Sequence, residues 1–331
     1  MTATAIRPAR SAQQHQFIGL TAAFGIGMLF AIQSRLNGEL GQRLGDGVPA
    51  ALVSFGSGLV VLLAGCAVIP PIRRSVGRVW RTIRTPSDGR GLLRWWQCIG
   101  GLAGAFLVAT QSITVSVIGV AVFIVAVVAG QAVSSLVVDR LGFGPAGRQA
   151  YTPLRIVGAV LATAAVVLAV SDRLHHPSGL LLALLPALGG VFTAVQQAIN
   201  GRVAQTAAGD ASGAIAAGVI NFLVGFAALL VVFLVDLLVR GAPNSLPSNP
   251  WLYLGGMCGV IFISAAAAVV RIVGVFVLGL GTIAGQLIGS LFIDLFVPAS
   301  DQKVTLPVVA GTLLALVAVI VAAVPNLRKS A

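Results

Sequence analysis

Apolar residues gather along this chain into runs close to the ~20 residues that carry an α-helix across a bilayer, with none of the weak alternation of a transmembrane barrel. Ten such runs predict ten spans, near residues 17–34, 49–69, 95–113, 117–138, 153–170, 179–199, 214–239, 251–269, 272–296 and 305–324. Residues 100–138 are almost uninterruptedly apolar. As one helix they would rise ~58 Å, far beyond the ~30 Å hydrocarbon core, so the chain must fold back there. The polar cluster Thr110-Gln111-Ser112-Ile113-Thr114-Val115-Ser116 is the expected turn, and the equivalent place later in the chain carries Arg271.

The pattern is written twice. Trp96 to Asp139 aligns without a gap on Trp251 to Asp294 at a constant offset of 155 residues, identical at 14 of 44 positions. The identities include Gly100-Gly101, Gly104, Gly119, Ala129-Gly130-Gln131, Ser135-Leu136 and Asp139, matched by Gly255-Gly256, Gly259, Gly274, Ala284-Gly285-Gln286, Ser290-Leu291 and Asp294. At an offset of 163, Gln33-x-x-x-Asn37-Gly38 matches Gln196-x-x-x-Asn200-Gly201. Internal repeats in a membrane chain point toward transport, since many transporters pair two related halves around a central site. Five spans per half is an odd number, so the second half should cross the membrane in the opposite sense. The expected organisation is a tail (1–16), a first five-helix repeat (17–170), a polar linker (171–178), an inverted second repeat (179–324) and a tail (325–331).

Composition supports the solvent assignment. Hydrophobic residues make up 57% and charged residues 9% of the 331 positions, against about 25% charged in soluble domains. The chain reads as an all-α integral membrane protein. Its formal net charge of +12 is unevenly spread. With the N-terminus inside, fifteen Lys and Arg fall on cytoplasmic segments and five outside, the asymmetry of the positive-inside rule, and both termini are expected in the cytoplasm of an inner-membrane protein. Seven arginines between Arg73 and Arg94 are read as a loop anchored on anionic lipid; flanking spans argue against nucleic acid.

Two halves that each open on Gln-x-x-x-Asn-Gly, continue with a small-residue-rich helix (Val53-Ser54-Phe55-Gly56-Ser57-Gly58; Ile220-Asn221-Phe222-Leu223-Val224-Gly225), then Trp-x-x-x-Gly-Gly and Gly-Gln-x-x-x-Ser-x-x-x-Asp, resemble the YdcZ-type, EamA-like branch of the drug/metabolite transporter (DMT) superfamily. The long arginine segment and the polar cluster near Gln111 depart from it. The resemblance implies a ten-helix secondary transporter exporting small molecules.

Candidate chemistry lies in the intramembrane polar residues. Gln131 and Gln286, with Ser135 and Ser290 one turn on and Asp139 and Asp294 two turns on, form a stripe in each half, and Asn221 joins them as pathway candidates. The glutamines either line the pathway or hydrogen-bond neighbouring helices. Asp139 is expected at a helix end, paired with Arg140 or solvated; Asp294, in apolar surroundings, is a candidate for a coupling proton. Gln33, Asn37, Gln196 and Asn200 are read as gate residues or helix caps, and Arg271 as a topology-fixing residue at a tight cytoplasmic turn. Gly130, Gly285 and Gly289 are expected to let helices approach closely.

Cys66, Cys98 and Cys258 have no ligand spacing, and no hydrolase, zincin or phosphate-loop motif occurs, so neither enzyme chemistry nor a cofactor is expected. Three classes remain: a secondary transporter of a neutral, zwitterionic or lipophilic metabolite, with protons as one coupling option; a passive channel; and a membrane scaffold. A homodimer is an assembly compatible with these residues.

Overall fold

The computed structural model of the protein describes residues 9–84, 93–144, 148, 150–171, 177–297 and 304–330. The described elements are helices: α1 (Ala9–Leu44), α2 (Gly47–Val68), α3 (Pro70–Arg84), α4 (Gly100–Ile118), α5 (Val120–Leu141), α6 (Pro153–Ala169), α7 (Pro177–Ala207), α8 (Ala211–Arg240), α9 (Gly255–Phe296) and α10 (Leu306–Ser330). Short 3-10 turns at Trp95–Cys98 and Pro250–Leu254 lead into α4 and α9. Among the described residues six helical stretches are long and apolar enough to cross a membrane, and four shorter apolar ones accompany them: Pro153–Ala169, Pro250–Ile263, Gly281–Phe296 and Leu306–Ala322.

Helix boundaries follow local chemistry. Gly45 and Gly209, both with positive φ, end α1 and α7, and the next residue caps the helix that follows. Asp46 accepts the Val48 N–H at 2.8 Å and Asp210 accepts the Gly213 N–H at 3.1 Å, satisfying orphan donors of α2 and α8. Asn37 and Asn200 are therefore not caps. They lie inside α1 and α7, which continue to Leu44 and Ala207.

The arginines from Arg73 to Arg84 do not form a loop either. They ride on α3, whose Ile72, Ser75 and Val79 are buried while Arg73, Arg74, Arg78 and Arg84 are exposed. The spacing of Ile72, Ser75 and Val79 puts them on one helical face.

The fold-back after α4 comes later than the polar cluster suggested. Thr110, Ser112 and Thr114 donate to carbonyls of Leu107, Val108 and Thr110, so their hydroxyls are satisfied without leaving the helix. The break falls at Gly119, whose φ of +82° suits a residue without a β-carbon. In the second half no extended residue like Gly119 separates the two arms, and Gly255–Phe296, Arg271 included, is one helical element, α9. Two separate helices were expected there. A helix break frees N–H groups that need acceptors, and the first break has one in the Asp294 carboxylate. Its equivalent, Asp139, is engaged by Arg155 instead.

Contacts nevertheless show that α9 doubles back. Gly255, Gly259 and Phe262 meet Asn37, Gln33 and Phe30 of α1, descending that helix; Gly281, Gly285 and Gly289 then meet Ala23, Phe24 and Met28, ascending it. The chain reverses its course between Phe262 and Gly281. The first half does the same around α7. Along α4, Gly100, Gly104 and Leu107 face Asn200, Gln196 and Gly189; along α5, Gly130, Ser134 and Val138 face Ala187, Val191 and Ala194.

Each opening helix thus lies in a hairpin supplied by the other half. A β-carbon at Gly130 would strike the Ala187 carbonyl, one at Gly285 the Phe24 carbonyl, and one at Gly289 would stand 3.1 Å from the Met28 Cα. The same exchange joins α2 to α8 through Phe55 and Phe222, whose rings stand 4.9 Å apart. It also joins α6 to α10, where Gly158 meets Ala318 and Ala322 and Gly311 meets Ala165 and Ala169.

Candidate functional site

Where the two hairpins meet α1 and α7, two connected chambers open. One holds about 420 Å³ and is lined by Gln131, Ser135, Arg155, Gln197, Phe262 and Gln286, with small residues of α5, α6 and α10. The other holds about 170 Å³; it shares Gln131, Gln197, Phe262 and Gln286 and adds Gln33, Gln196, Asn200, Asn221 and a set of phenylalanines. The larger volume falls in the range of small-molecule sites, and the smaller is little more than half its lower bound.

Glycines make these walls. Gly104 leaves room for the Gln196 and Asn221 amides, and Gly259 leaves room for Gln33. Beside the chambers, Gly100 and Gly255 receive the Asn200 and Asn37 amides. Each Gly-Gly-x-x-Gly helix therefore accommodates the Gln-x-x-x-Asn stripe of the opposite half.

The polar groups are tied across helices, as buried amides require. Asn221 Oδ1 accepts from Gln196 Nε2 at 2.8 Å and from Asn200 Nδ2 at 3.2 Å. In the other half Asn37 Nδ2 donates to Gln111 Oε1 at 2.7 Å, and Gln111 Nε2 donates to Ser34 Oγ at 3.0 Å. Gln286 is buried, with its Oε1 unpartnered.

The other candidates scatter. Ser135 lines the larger chamber and donates to Ala132 O at 2.9 Å, whereas fully buried Ser290 donates to Leu287 O at 2.8 Å and lines neither chamber. Asp139 pairs with Arg155 of α6, not with Arg140. Asp294 lies outside both walls; its carboxylate accepts the N–H groups of Val120 and Ala121. Gln33 and Gln196, expected at helix ends, lie on the smaller chamber. Sequence reasoning missed Gln111, Gln197, Phe30, Phe262 and Arg155. Gln197 could have been found, since it neighbours Gln196 on a helix already rich in amides; Gln111 was hidden by a cluster that reads as a turn.

Arg155 is the one charged side chain among the described lining residues, and it is neutralised by Asp139. The walls can hydrogen-bond and pack apolar surface, and they offer a substrate no free charge.

A family model described as "Putative inner membrane exporter, YdcZ" matches residues 18–168 and 181–321, nearly the whole chain in two blocks. The chain belongs to this family. As a YdcZ-family protein it is a multi-pass membrane transporter, and the family is one of inner-membrane exporters. No curated protein matches it. Solved structures do: one, titled only as the crystal structure of a protein, aligns at 17% identity over 96% of this chain and 99% of its own, with a TM-score of 0.54. That likeness concerns the YdcZ-family fold alone.

Proposed function

We propose that the chain is a secondary transporter that exports a small neutral, zwitterionic or lipophilic metabolite by alternating access, through ten spans arranged as two inverted five-helix halves. The carrying observation is that Gln131 and Gln286, equivalent residues of the two halves, line both connected chambers. A site shared by related halves is where rocking of one half against the other changes exposure. The six long and four shorter apolar helices support ten crossings, and the duplicated hairpin contacts support the pairing of halves.

Orientation rests on charge. α3, Arg140, Arg148 and Arg202 belong to segments that the positive-inside rule assigns to the cytoplasm, which puts both termini there. Asp294, the candidate for a coupling proton, has its carboxylate bound by two backbone N–H groups, which argues for a helix cap in that place.

The test needs no substrate. In a background with Cys66, Cys98 and Cys258 replaced, single cysteines at positions 131 and 286 are labelled from each side of oriented vesicles. Labelling that depends on side and shifts with a pH gradient supports the reading. Equal labelling from both sides at once points to a channel, and no labelling from either side would sink the pathway assignment.

A further inference from the structure

The duplicated frame diverges where it lines the chambers. Gln33 and Gln196, Gln131 and Gln286, and Phe55 and Phe222 are kept as equivalent pairs on the walls. Phe262 of α9 answers instead to Leu107 of α4, and Phe30 of α1 answers to Thr193 of α7; all four line the smaller chamber. The shared residues serve the frame. The unmatched ones give one wall an aromatic face, the Phe30 and Phe262 rings standing 5.9 Å apart, and leave the facing wall aliphatic and hydroxylic.

Three further facts narrow the occupant. The smaller chamber, at about 170 Å³, is close to the ~150 Å³ of an apolar cavity that accepts one benzene ring. Gln286, only 7% exposed, has its Oε1 without a hydrogen-bond partner, and it lines both chambers. A buried acceptor of this kind is completed by a donor. Charge is the third. A cation would find no carboxylate among the described lining residues, and an anion would have to displace Asp139 from Arg155, both costly in a low-dielectric site.

We propose that the chambers bind an uncharged molecule carrying a small aromatic ring system and an N–H or O–H donor, with a ring in the smaller chamber against Phe30 and Phe262 and the donor bonded to Gln286 Oε1. The inference rests on the reading of this cavity as the transport site and names its substrate class. The remaining bulk occupies the larger chamber, where Ala132, Gly158, Ala162 and Ala318 leave room beside the amides of Gln131 and Gln197. Phe262, Phe30 and Gln286 are then the specificity-determining residues.

Three matched probes test this on purified full-length protein by equilibrium dialysis at neutral pH: 2-naphthol, 2-methoxynaphthalene, which lacks the donor, and 2-naphthoate, which is charged. Saturable binding of 2-naphthol, tighter than either of the others by roughly tenfold or more, is expected from the unpaired acceptor. Gln286→Leu should erase the preference for naphthol over its ether; Phe262→Leu should weaken both alike and keep the preference. If the Leu variant does not fold, as judged by circular dichroism, Gln286→Met of similar length replaces it. Absence of saturable naphthol binding by folded wild-type protein, equal binding of the three probes, or a naphthol preference that survives in the Gln286 variant overturns the proposal. Side-specific labelling is independent of these readings. Discriminating binding without side-dependent labelling would keep the ligand class and sink the transport reading, and the converse pattern would do the opposite.

Discussion

The carboxylate of Asp294, near the end of α9, accepts the N–H of Val120 at 2.9 Å and that of Ala121 at 2.7 Å, closing the N-terminus of α5 in the other half. The residue before that helix, Gly119, has φ +82°, and a β-carbon there would stand 2.9 Å from Asp294 Oδ2. Asp294→Ala should lower stability by about 1–2 kcal/mol, the usual worth of a helix cap, and Asp294→Asn should cost less, since an acceptor remains. Gly119→Ala should destabilise by ~1 kcal/mol or more from its left-handed backbone alone. Thermal unfolding in detergent reads all three; an unchanged midpoint in Asp294→Ala would show that the cap is idle.

Glycines at crossings and glycines in open space should behave oppositely. Gly130→Leu and Gly285→Leu drive a side chain into backbone carbonyls of α7 and α1, and yield of folded protein should collapse for both. Gly77, on α3, has nothing within 4 Å of the position a β-carbon would take. Gly77→Ala should therefore stabilise α3 by up to ~1 kcal/mol through helix propensity. Size-exclusion profiles and melting curves separate the two classes.

Removing one amide from a buried pair should cost more than its own hydrogen bond. Gln111→Leu leaves Asn37 Nδ2 without its acceptor in the interior, for a loss of about 1–3 kcal/mol. Asn221→Leu strands the amides of Gln196 and Asn200 together. Asn221→Ser, which installs the residue found at the equivalent Ser54, should recover part of that loss. A double-mutant cycle on Asn37 and Gln111 with no coupling energy would refute the pairing.

The basic face of α3 should read lipid charge. Arg73, Arg74, Arg78 and Arg84 are exposed beside Trp80, with the Arg84 guanidinium 4.8 Å from its ring. In liposomes, brominated anionic lipid should quench a variant retaining only Trp80 more strongly than brominated zwitterionic lipid, each arginine contributing about 1 kcal/mol near an anionic surface. Replacing the four arginines by Gln should level the two quenchers; a preference that survives would assign the lipid contact elsewhere.

The residues made the helical class legible, because long apolar runs admit no other spanning structure than a barrel, and the required alternation is missing. The duplicated Gly-Gly-x-x-Gly and Gln-x-x-x-Asn stripes were legible too, as patterns. Their mutual fit was not: Gly100 receives Asn200 and Gly255 receives Asn37 across sequence separations that local periodicity does not encode. Asn37 resembled a cap because Asn-Gly commonly ends helices, yet its Nδ2 donates to Gln111 of another helix and α1 runs on. Asp294 resembled an isolated intramembrane charge because the Val120 and Ala121 N–H groups that it accepts carry no side-chain signature. Phe30 and Phe262 looked like ordinary apolar residues until the chamber placed them on one wall.

The exchange of hairpins has a consequence for biosynthesis. α1 is made before the two arms that enclose it, Gly255–Gly259 and Gly281–Gly289, which follow more than two hundred residues later. Until then the face that those arms cover stays open, although α2 and α4 of its own half also pack on α1. Such long-range closure is entropically slow. The nascent first half is thus an open clamp, a state that quality-control proteases can see, and the ninth helix is the latch that ends its exposure.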